Sequence, residues 1–250
     1  MSGARVLVVE HQENAGIGLF GERIAAQGVV LETVGPDAGA EVPASLDGYD
    51  GLIVLGGSMG PTDDGDAPWL PATRRLLVEG VARGVPTLGI CLGAQLLVTA
   101  TGGRVREAVA GPEVGLHTVS FAADAAGDPL FDGLAASDAV AVQWHYLEAG
   151  ELPAGARLLA SSGPCRNQAF RIGEAAWGVQ FHPEALGGTA RDWVDEDRQG
   201  LVDLGLAEDA VVDEVLAAEP ELRRVWGAVA DRFAALAEAQ VRATSAPASA

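Results

Sequence analysis

Short apolar runs alternate with amphipathic stretches along the N-terminal part of the chain. Four of the runs predict strands: Arg5–Glu10, Val29–Val34, a run within Gly48–Gly57, and Val85–Cys91. The segments between them have helical spacing, most clearly Trp69–Arg83, and Leu92–Ala100 follows the fourth strand directly as a predicted helix. Strands that alternate with helices predict a parallel sheet with right-handed crossover connections.

The pattern changes after Gly102, where short apolar runs follow one another without helices between them. These runs predict strands at Val114–Phe121, Ala139–Glu148, Arg157–Ser161, Gln168–Ile172 and Ala176–Phe181. Successive strands without intervening helices are typical of antiparallel pairing. We therefore expect an α/β fold with a mixed, mainly parallel sheet, flanked by helices and carrying antiparallel strands in its second half.

Helical patterns close the chain. They cover Thr189–Gly205, Glu208–Ala218 and Glu221–Ala243. No segment has the composition of a linker and no internal repeat is visible, so we predict a single domain over residues 1–242. The small and polar residues at 243–250 predict a flexible tail.

The net charge indicates which partners the protein can bind, and the cysteine content indicates its redox environment. Asp and Glu number 35 against 16 Lys and Arg, which gives a formal net charge of −19. Such a surface repels phosphate groups, so nucleic acids and anionic membranes are poor partners. Two cysteines are too few for a disulfide framework, no apolar run reaches the ~18 residues of a membrane span, and no signal-peptide pattern is present. We expect a cytoplasmic protein with reduced thiols.

Two glycine-rich patterns match known site signatures but lack the required context. Gly16–Gly21 matches G-x-G-x-x-G, yet its first glycine does not directly follow the strand, as a dinucleotide-binding turn requires. Gly56–Gly60 matches G-x-S-x-G around Ser58, yet a loop composition follows it instead of a helix. We expect close helix packing at the first pattern, ligand-facing backbone N–H groups at the second, and neither a cofactor nor a metal ion.

Cys91 has the context that Ser58 lacks. An apolar strand precedes it, a predicted helix follows it, and Gly89 and Gly93 flank it at two positions on either side. Such glycines relieve the crowding of a strained strand-to-helix turn, and the helix N-terminus favours the thiolate. We predict a reactive thiol at Cys91. Cys165 lies in a loop composition with no basic neighbour except Arg166, and we expect it to be inert.

A thiol nucleophile needs a base, and the base needs a group that orients it. His182 follows an apolar strand, and Glu184 lies two residues later. In extended backbone those two side chains point to the same side, so the carboxylate could fix the imidazole in one tautomer. We predict that Cys91, His182 and Glu184 form a catalytic triad.

The sequences GICLGAQ and QFHPE, about 90 positions apart, resemble the class I glutamine amidotransferase family, most closely its stand-alone, GMP synthase-like members. The resemblance implies a flavodoxin-like architecture. It also implies that Cys91 is the nucleophile, His182 the general base and acid, and Glu184 the orienting group.

The same resemblance assigns further roles. The backbone N–H groups of Gly57 and Leu92 would form the oxyanion hole, and Gln95, Gly56 and His145 would contact the substrate. The implied reaction hydrolyses the side-chain amide of glutamine through a cysteinyl γ-glutamyl thioester, and it releases glutamate and ammonia. The ammonia would serve a separate ATP-dependent synthetase, because the chain carries no nucleotide-binding motif of that kind.

One position departs from the family pattern. The family often has His-x-Asp where this chain has His145, Tyr146 and Leu147, so a contact to the substrate amino group is missing unless Glu148 supplies it. Two alternatives therefore stand beside the glutaminase. One is a free-standing γ-glutamyl peptidase or amidase acting on a γ-glutamyl compound, and the other is a catalytically silent binding or regulatory protein.

Overall fold

The computed structural model describes residues 3–245 of the chain. Its strands are β1 (Arg5–Val9), β2 (Val30–Val34), β3 (Gly51–Val54), β4 (Thr87–Ile90), β5 (Arg104–Glu107), β6 (Glu113–Phe121), β7 (Asp138–His145), β8 (Leu147–Glu151), β9 (Arg157–Ser161), β10 (Ala169–Ile172) and β11 (Ala176–Val179). Its α-helices are α1 (Gly18–Ala26), α2 (Leu70–Arg83), α3 (Leu92–Ala100), α4 (Gly187–Glu196), α5 (Arg198–Leu204) and α6 (Glu208–Ser245).

Within the described residues, one sheet of nine strands has the order β2-β1-β3-β4-β11-β10-β9-β6-β7. Neighbours from β2 to β11 pair in parallel, and those from β11 to β7 pair antiparallel. The predicted mixed α/β class, with antiparallel strands in the second half, is confirmed. The order places β11 beside β4, so that Val179 lies opposite Ile90 at the carboxyl ends of both strands.

Helices cover both faces of the sheet. Strand β1 contacts a core on each face, and this position explains why its sequence is almost wholly apolar. Val6 and Val8 pack in a core that includes Phe20 of α1 and Phe233 of α6. Leu7 and Val9 pack in a second core, together with residues of α2 and α3. A strand buried on both faces needs apolar residues at every position, not only at alternate ones.

The predicted strand Ala139–Glu148 is wrong in its extent. The chain leaves β7 after His145, and β8 pairs with β5 in a separate two-stranded sheet. β5, at Arg104–Glu107, was not predicted, because its largely charged sequence carries no apolar run. The bend at Tyr146 ends the β6–β7 ladder and turns Leu147 toward a different set of partners.

The helix boundaries near the C-terminus also differ from the prediction. Thr189–Gly205 was expected as one helix, but Asp197 has non-helical backbone angles and separates α4 from α5. Conversely, α6 continues through Pro220, where two helices were expected. Val215 and Leu222 are fully buried on either side of that proline, so packing of both halves on the sheet outweighs its local cost.

The predicted single domain over residues 1–242 stays a prediction. The predicted tail at 243–250 begins inside α6, which runs to Ser245, and residues 246–250 lie outside the described part of the chain. Within residues 3–245, none of the helices combines the length and the apolar character that a membrane span needs.

Candidate active site

Cys91 occupies a strained turn between β4 and α3. Its φ of 49° and ψ of −104° are unusual for a residue with a side chain, and its N–H donates to the Val179 carbonyl at 2.8 Å. A Cβ on Gly89 would lie 2.5 Å from the Gly93 oxygen, and one on Gly93 would lie 2.1 Å from the Val54 oxygen. The two flanking glycines are therefore required by close backbone approach, as the sequence predicted. The turn leaves Cys91 at the N-terminus of α3, where the helix dipole favours a thiolate.

His182 is positioned by the antiparallel half of the sheet. Its backbone N–H donates to the Val142 carbonyl at 2.8 Å, which makes an isolated bridge to β7. β11 ends at Val179, and not at Phe181 as predicted, so His182 and Glu184 lie in a turn instead of an extended strand. The expected contact nevertheless forms, with 2.8 Å between His182 Nδ1 and Glu184 Oε1 and both side chains buried.

Three effects determine the pKa of His182: burial of the ring, the Glu184 carboxylate and the Cys91 thiolate. Burial is the largest and lowers its pKa, but the Glu184 carboxylate and the Cys91 thiolate together outweigh burial and raise the pKa to about 10. A carboxylate at Nδ1 and a thiolate nearby both favour the imidazolium. The arrangement therefore favours a positively charged His182 ring beside Cys91.

The glycine loop after β3 closes over this pair. A Cβ on Gly56 would lie 2.8 Å from His182 Cε1 and 3.6 Å from Cys91 Cβ, so only glycine leaves room for the imidazole. A Cβ on Gly57 would lie 3.0 Å from His11 Cβ and 3.1 Å from Leu92 Cδ2. The backbone of Gly57 therefore lies next to Leu92, the first residue of α3. The N–H groups of a first helical turn lack intrahelical acceptors, which makes Leu92 a suitable second donor.

His11 supports that loop from behind. The imidazole is buried, and its Nδ1 accepts a 2.9 Å hydrogen bond from Trp69 Nε1. Burial lowers the pKa of His11 to about 4, so the ring is neutral at physiological pH. His11 therefore packs against the glycine loop without placing a charge there.

A pocket of about 370 Å³ opens over the Cys91 sulfur. Its lining consists of Gln12, Ala15, Gly57, Ser58, Met59, Cys91, Gln95, Trp144, His145, Tyr146, Leu147, His182, Trp193, Glu196 and Asp197. Five of the residues predicted from the sequence are among them. The other predicted residues lie just behind this surface: Glu184 at the far ring nitrogen of His182, Gly56 under the ring, and Leu92 one residue beyond Cys91.

The rim of the pocket contains residues that the sequence did not single out. The Trp193 ring lies 4.5 Å from the His182 ring in an edge-on arrangement. Asp197 Oδ2 accepts hydrogen bonds from Trp144 Nε1 at 3.0 Å and from the Tyr146 hydroxyl at 2.7 Å. Trp193 and Asp197 belong to the α4–α5 segment, which no motif marks. The only feature of the sequence that could have indicated Trp193 and Asp197 as pocket residues is their position shortly after Glu184.

Both glycine-rich patterns have packing roles. A Cβ on Gly18 would lie 2.4 Å from the Glu184 carbonyl oxygen, which accepts the Leu19 N–H at 3.0 Å. This is the close helix packing that we predicted, and it braces the turn carrying Glu184. In the second pattern, the Ser58 backbone N–H donates to Gln12 Oε1 at 2.7 Å.

Leu147 lines the pocket where the family often has an acidic residue. Its carbonyl accepts from His145 Nδ1 at 2.9 Å. Glu148 does not replace the missing carboxylate, because it is buried outside the pocket lining and its Oε1 accepts from Arg106 Nε at 2.8 Å. The pocket lining therefore has a leucine at position 147, and its acidic side chains are Glu196 and Asp197.

Cys165 contrasts with Cys91. It is buried to 1% exposure, and burial followed by the charges of Glu113 and Glu148 raises the pKa of its thiol to about 12. A neutral, buried thiol is a poor nucleophile, which agrees with the expectation that it is inert.

Comparison with known proteins identifies the family. Residues 20–196 match the family described as glutamine amidotransferase class-I. The chain is 34% identical to gamma-glutamyl peptidase 3 of Arabidopsis thaliana over 56% of each protein, and 34% identical to the aminodeoxychorismate synthase of Streptomyces griseus over 73% of this chain and 24% of the synthase. The match thus spans about half of the first relative and about a quarter of the second.

The fold comparison agrees. A solved glutamine amidotransferase from Thermotoga maritima superposes with a TM-score of 0.82 at 25% identity, covering 92% of this chain and 98% of that one. Its coverage extends over both the parallel and the antiparallel parts of the sheet. The chain belongs to the class I glutamine amidotransferases.

Proposed function

We propose that the protein hydrolyses a γ-glutamyl amide through a thioester on Cys91. The observation that carries the proposal is the joint position of three groups: the strained Cys91 at the N-terminus of α3, His182 with its raised pKa, and the Glu184 carboxylate 2.8 Å from the ring. Similarity to glutamine-dependent synthases and to γ-glutamyl peptidases supports the same bond as the target.

The reaction follows from the charges at the site. The Cys91 thiolate attacks the amide carbon, and the oxygen that becomes negative faces the N–H groups of Gly57 and Leu92. Each such donor contributes about 3 kcal/mol to stabilising the intermediate. His182 then gives its proton to the leaving nitrogen, which departs as ammonia or an amine. A water molecule, deprotonated by the now neutral His182, attacks the thioester and releases glutamate.

Free glutamine is the first candidate substrate, with ammonia passed to a separate synthetase. Relatives that are synthetases, or subunits named for them, support this reading. In this reading Gln95, Gly56 and His145 hold the amino-acid end of glutamine. The partner would complete the path from the pocket to the acceptor, and it would raise the glutaminase rate when bound.

A free-standing γ-glutamyl peptidase is the second candidate, and a specific observation favours it. Trp144, Tyr146 and Trp193 extend the pocket with apolar surface. Such a surface suits a leaving group larger than ammonia. The similarity to a γ-glutamyl peptidase points in the same direction.

The test combines trapping with a substrate panel. Wild-type protein mixed with a γ-glutamyl substrate and quenched in acid is expected to carry a glutamyl adduct on Cys91 by mass spectrometry, and Cys91→Ala protein is expected to carry none. Absence of any adduct and any turnover would favour the silent binding protein instead. A higher kcat/KM for glutamine than for γ-glutamyl dipeptides would reject the peptidase. Leu147→Asp should raise kcat/KM for glutamine and for γ-glutamyl dipeptides alike, because both carry the same α-amino group.

A further inference from the structure

Gln180 is a buried amide next to the reacting sulfur, and the mechanism above does not use it. It directly follows β11 at 1% exposure, and its backbone N–H donates to the Gln168 carbonyl at 2.8 Å. Its side-chain Nε2 lies 3.6 Å from Cys91 Sγ, within hydrogen-bonding reach of sulfur. A buried amide is costly unless its polar atoms are paired, so this contact has an energetic reason to persist.

The direction of that hydrogen bond is fixed by the chain of partners behind it. The Leu147 carbonyl can only accept, so the Gln95 group 3.3 Å from it must be the donating Nε2. The same Nε2 lies 3.4 Å from Gln180 Oε1, which accepts from it. With its oxygen committed to Gln95, Gln180 presents its N–H group to the sulfur, and not its carbonyl.

The far end of the chain is anchored by a buried contact between His145 and Glu113. His145 donates from Nδ1 to the Leu147 carbonyl at 2.9 Å, and its Nε2 lies 3.1 Å from Glu113 Oε2. Glu113 also accepts from Ser162 Oγ and Gln168 Nε2, each at 2.8 Å. Burial, the largest influence, raises the pKa of Glu113, but the hydrogen bonds from His145 and Ser162 outweigh it and lower the pKa. Both ring nitrogens of His145 thus face acceptors.

We propose that Gln180 is a further catalytic residue, whose amide N–H stabilises the Cys91 thiolate and whose orientation is set by the chain Glu113–His145–Leu147–Gln95. Gln95 donates to Gln180 Oε1 and Gln180 donates to the sulfur, so the Gln180 donor is polarised by the hydrogen bond behind it. A donor to a charged acceptor contributes more than one to a neutral acceptor. Gln180 therefore favours the thiolate over the neutral thiol, whose S–H donates instead to the Trp144 carbonyl at 3.8 Å.

The proposal rests on Cys91 being the nucleophile, and its test does not need the substrate. Alkylation of Cys91 by iodoacetamide as a function of pH reports the ionisation of the thiol. The other titratable groups around the pocket are His182 from the turn after β11, His145 from β7, Tyr146 from the bend after β7, and Glu196 and Asp197 from the end of α4 and the residue after it. All of these are retained in the variants at position 180.

Gln180→Met keeps the shape of the side chain and removes the donor, and it should raise the alkylation pKa of Cys91 by about one unit. Gln180→Glu places a carboxylate beside the sulfur and should raise the pKa further. For a substrate turned over by the wild type, Gln180→Met should lower kcat about tenfold with little change in KM. Gln143→Met is the matched control, because Gln143 is a fully buried amide on β7 with no hydrogen-bond partner among the described residues.

An unchanged alkylation profile in folded Gln180→Met protein overturns the proposal, even if activity falls. If that variant does not fold, Gln95→Met removes the group that orients Gln180, and a smaller shift in the same direction is expected. No shift there overturns the proposal equally. If the proposed function fails instead, the result is different: Cys91 of the wild type would still be alkylated with a depressed pKa, but the protein would hydrolyse no γ-glutamyl amide.

Discussion

Glu184 holds His182 through a 2.8 Å contact between Oε1 and Nδ1, and neither side chain is exposed to solvent by more than 3%. Glu184→Gln keeps the size of the side chain but removes the charge that orients the ring and raises its pKa. We expect kcat/KM for the preferred γ-glutamyl substrate to fall by about 10³- to 10⁴-fold with the fold intact. Steady-state kinetics together with circular dichroism measure both quantities. A loss of less than tenfold would contradict the assigned role.

The same contact makes stability depend on pH in a defined window. Folding raises the pKa of His182 from 6.5 to about 10, so the folded state binds this proton more tightly than the unfolded state does. The resulting stabilisation is complete below pH 6.5 and is lost as the pH rises toward 10. Urea unfolding of the wild type should show a decline across that window, and Glu184→Gln should show a smaller one. Parallel curves for the two proteins would contradict the prediction.

The two thiols should differ in reactivity. Cys91 lies at a helix N-terminus over an open pocket, whereas Cys165 is buried with a pKa raised to about 12. At pH 7, iodoacetamide should label Cys91 alone in the native protein and both cysteines in urea, as measured by peptide mass spectrometry. Cys91→Ala should abolish native labelling, and Cys165→Ala should leave it unchanged. Native labelling of Cys165 would show that its burial does not protect it.

The room for the His182 ring depends on Gly56. A methyl group there would come within 2.8 Å of His182 Cε1, so Gly56→Ala should displace the imidazole and lower kcat by about 10²-fold. Gly65 lies in the loop that follows, and a Cβ there meets nothing within 4 Å, so Gly65→Ala is the matched control with near wild-type kcat. Equal effects of the two variants would mean that the loop as a whole, and not the clash, determines activity.

Pro220 lies exposed in the interior of α6. Proline costs about 3 kcal/mol relative to alanine in a helix interior, and it recovers up to about 1 kcal/mol by restricting the unfolded chain. Pro220→Ala should therefore raise the free energy of unfolding by about 2 kcal/mol. Urea unfolding measures the change, and activity should not alter, since Pro220 is not among the pocket residues. A lower stability would mean that the proline is favoured by local backbone geometry.

The sequence was sufficient to predict the elements whose patterns are local. The elbow at Cys91 was predicted correctly because strand, glycines and helix are adjacent in sequence, and α3 has the predicted bounds. The contact of His182 with Glu184 forms as predicted, but the backbone differs from the prediction. A turn, and not an extended strand, brings the two side chains together.

Other features depend on residues far apart in the chain. The break at Asp197 lies within a continuous helical pattern, and the position of the α4–α5 segment over the pocket follows from its packing against Trp144 and α6. Gln180 accepts a hydrogen bond from Gln95 of α3, and Gln95 also donates to the carbonyl of Leu147 at the start of β8. The hydrophobic pattern of a single segment does not predict these long-range contacts, because the contacts follow from the order of strands in the sheet.

The position of β11 has a consequence for the timing of activity. Among the described strands it is the last to be synthesised, yet it lies between β4 and β10 near the middle of the sheet. A nascent chain that has not reached Val179 lacks the carbonyl that binds the Cys91 N–H, and it also lacks the histidine and the carboxylate. Chains ending before β11 therefore carry Cys91 without the other two members of the proposed triad. The proposed triad is complete only after β11 fills the central gap of the sheet.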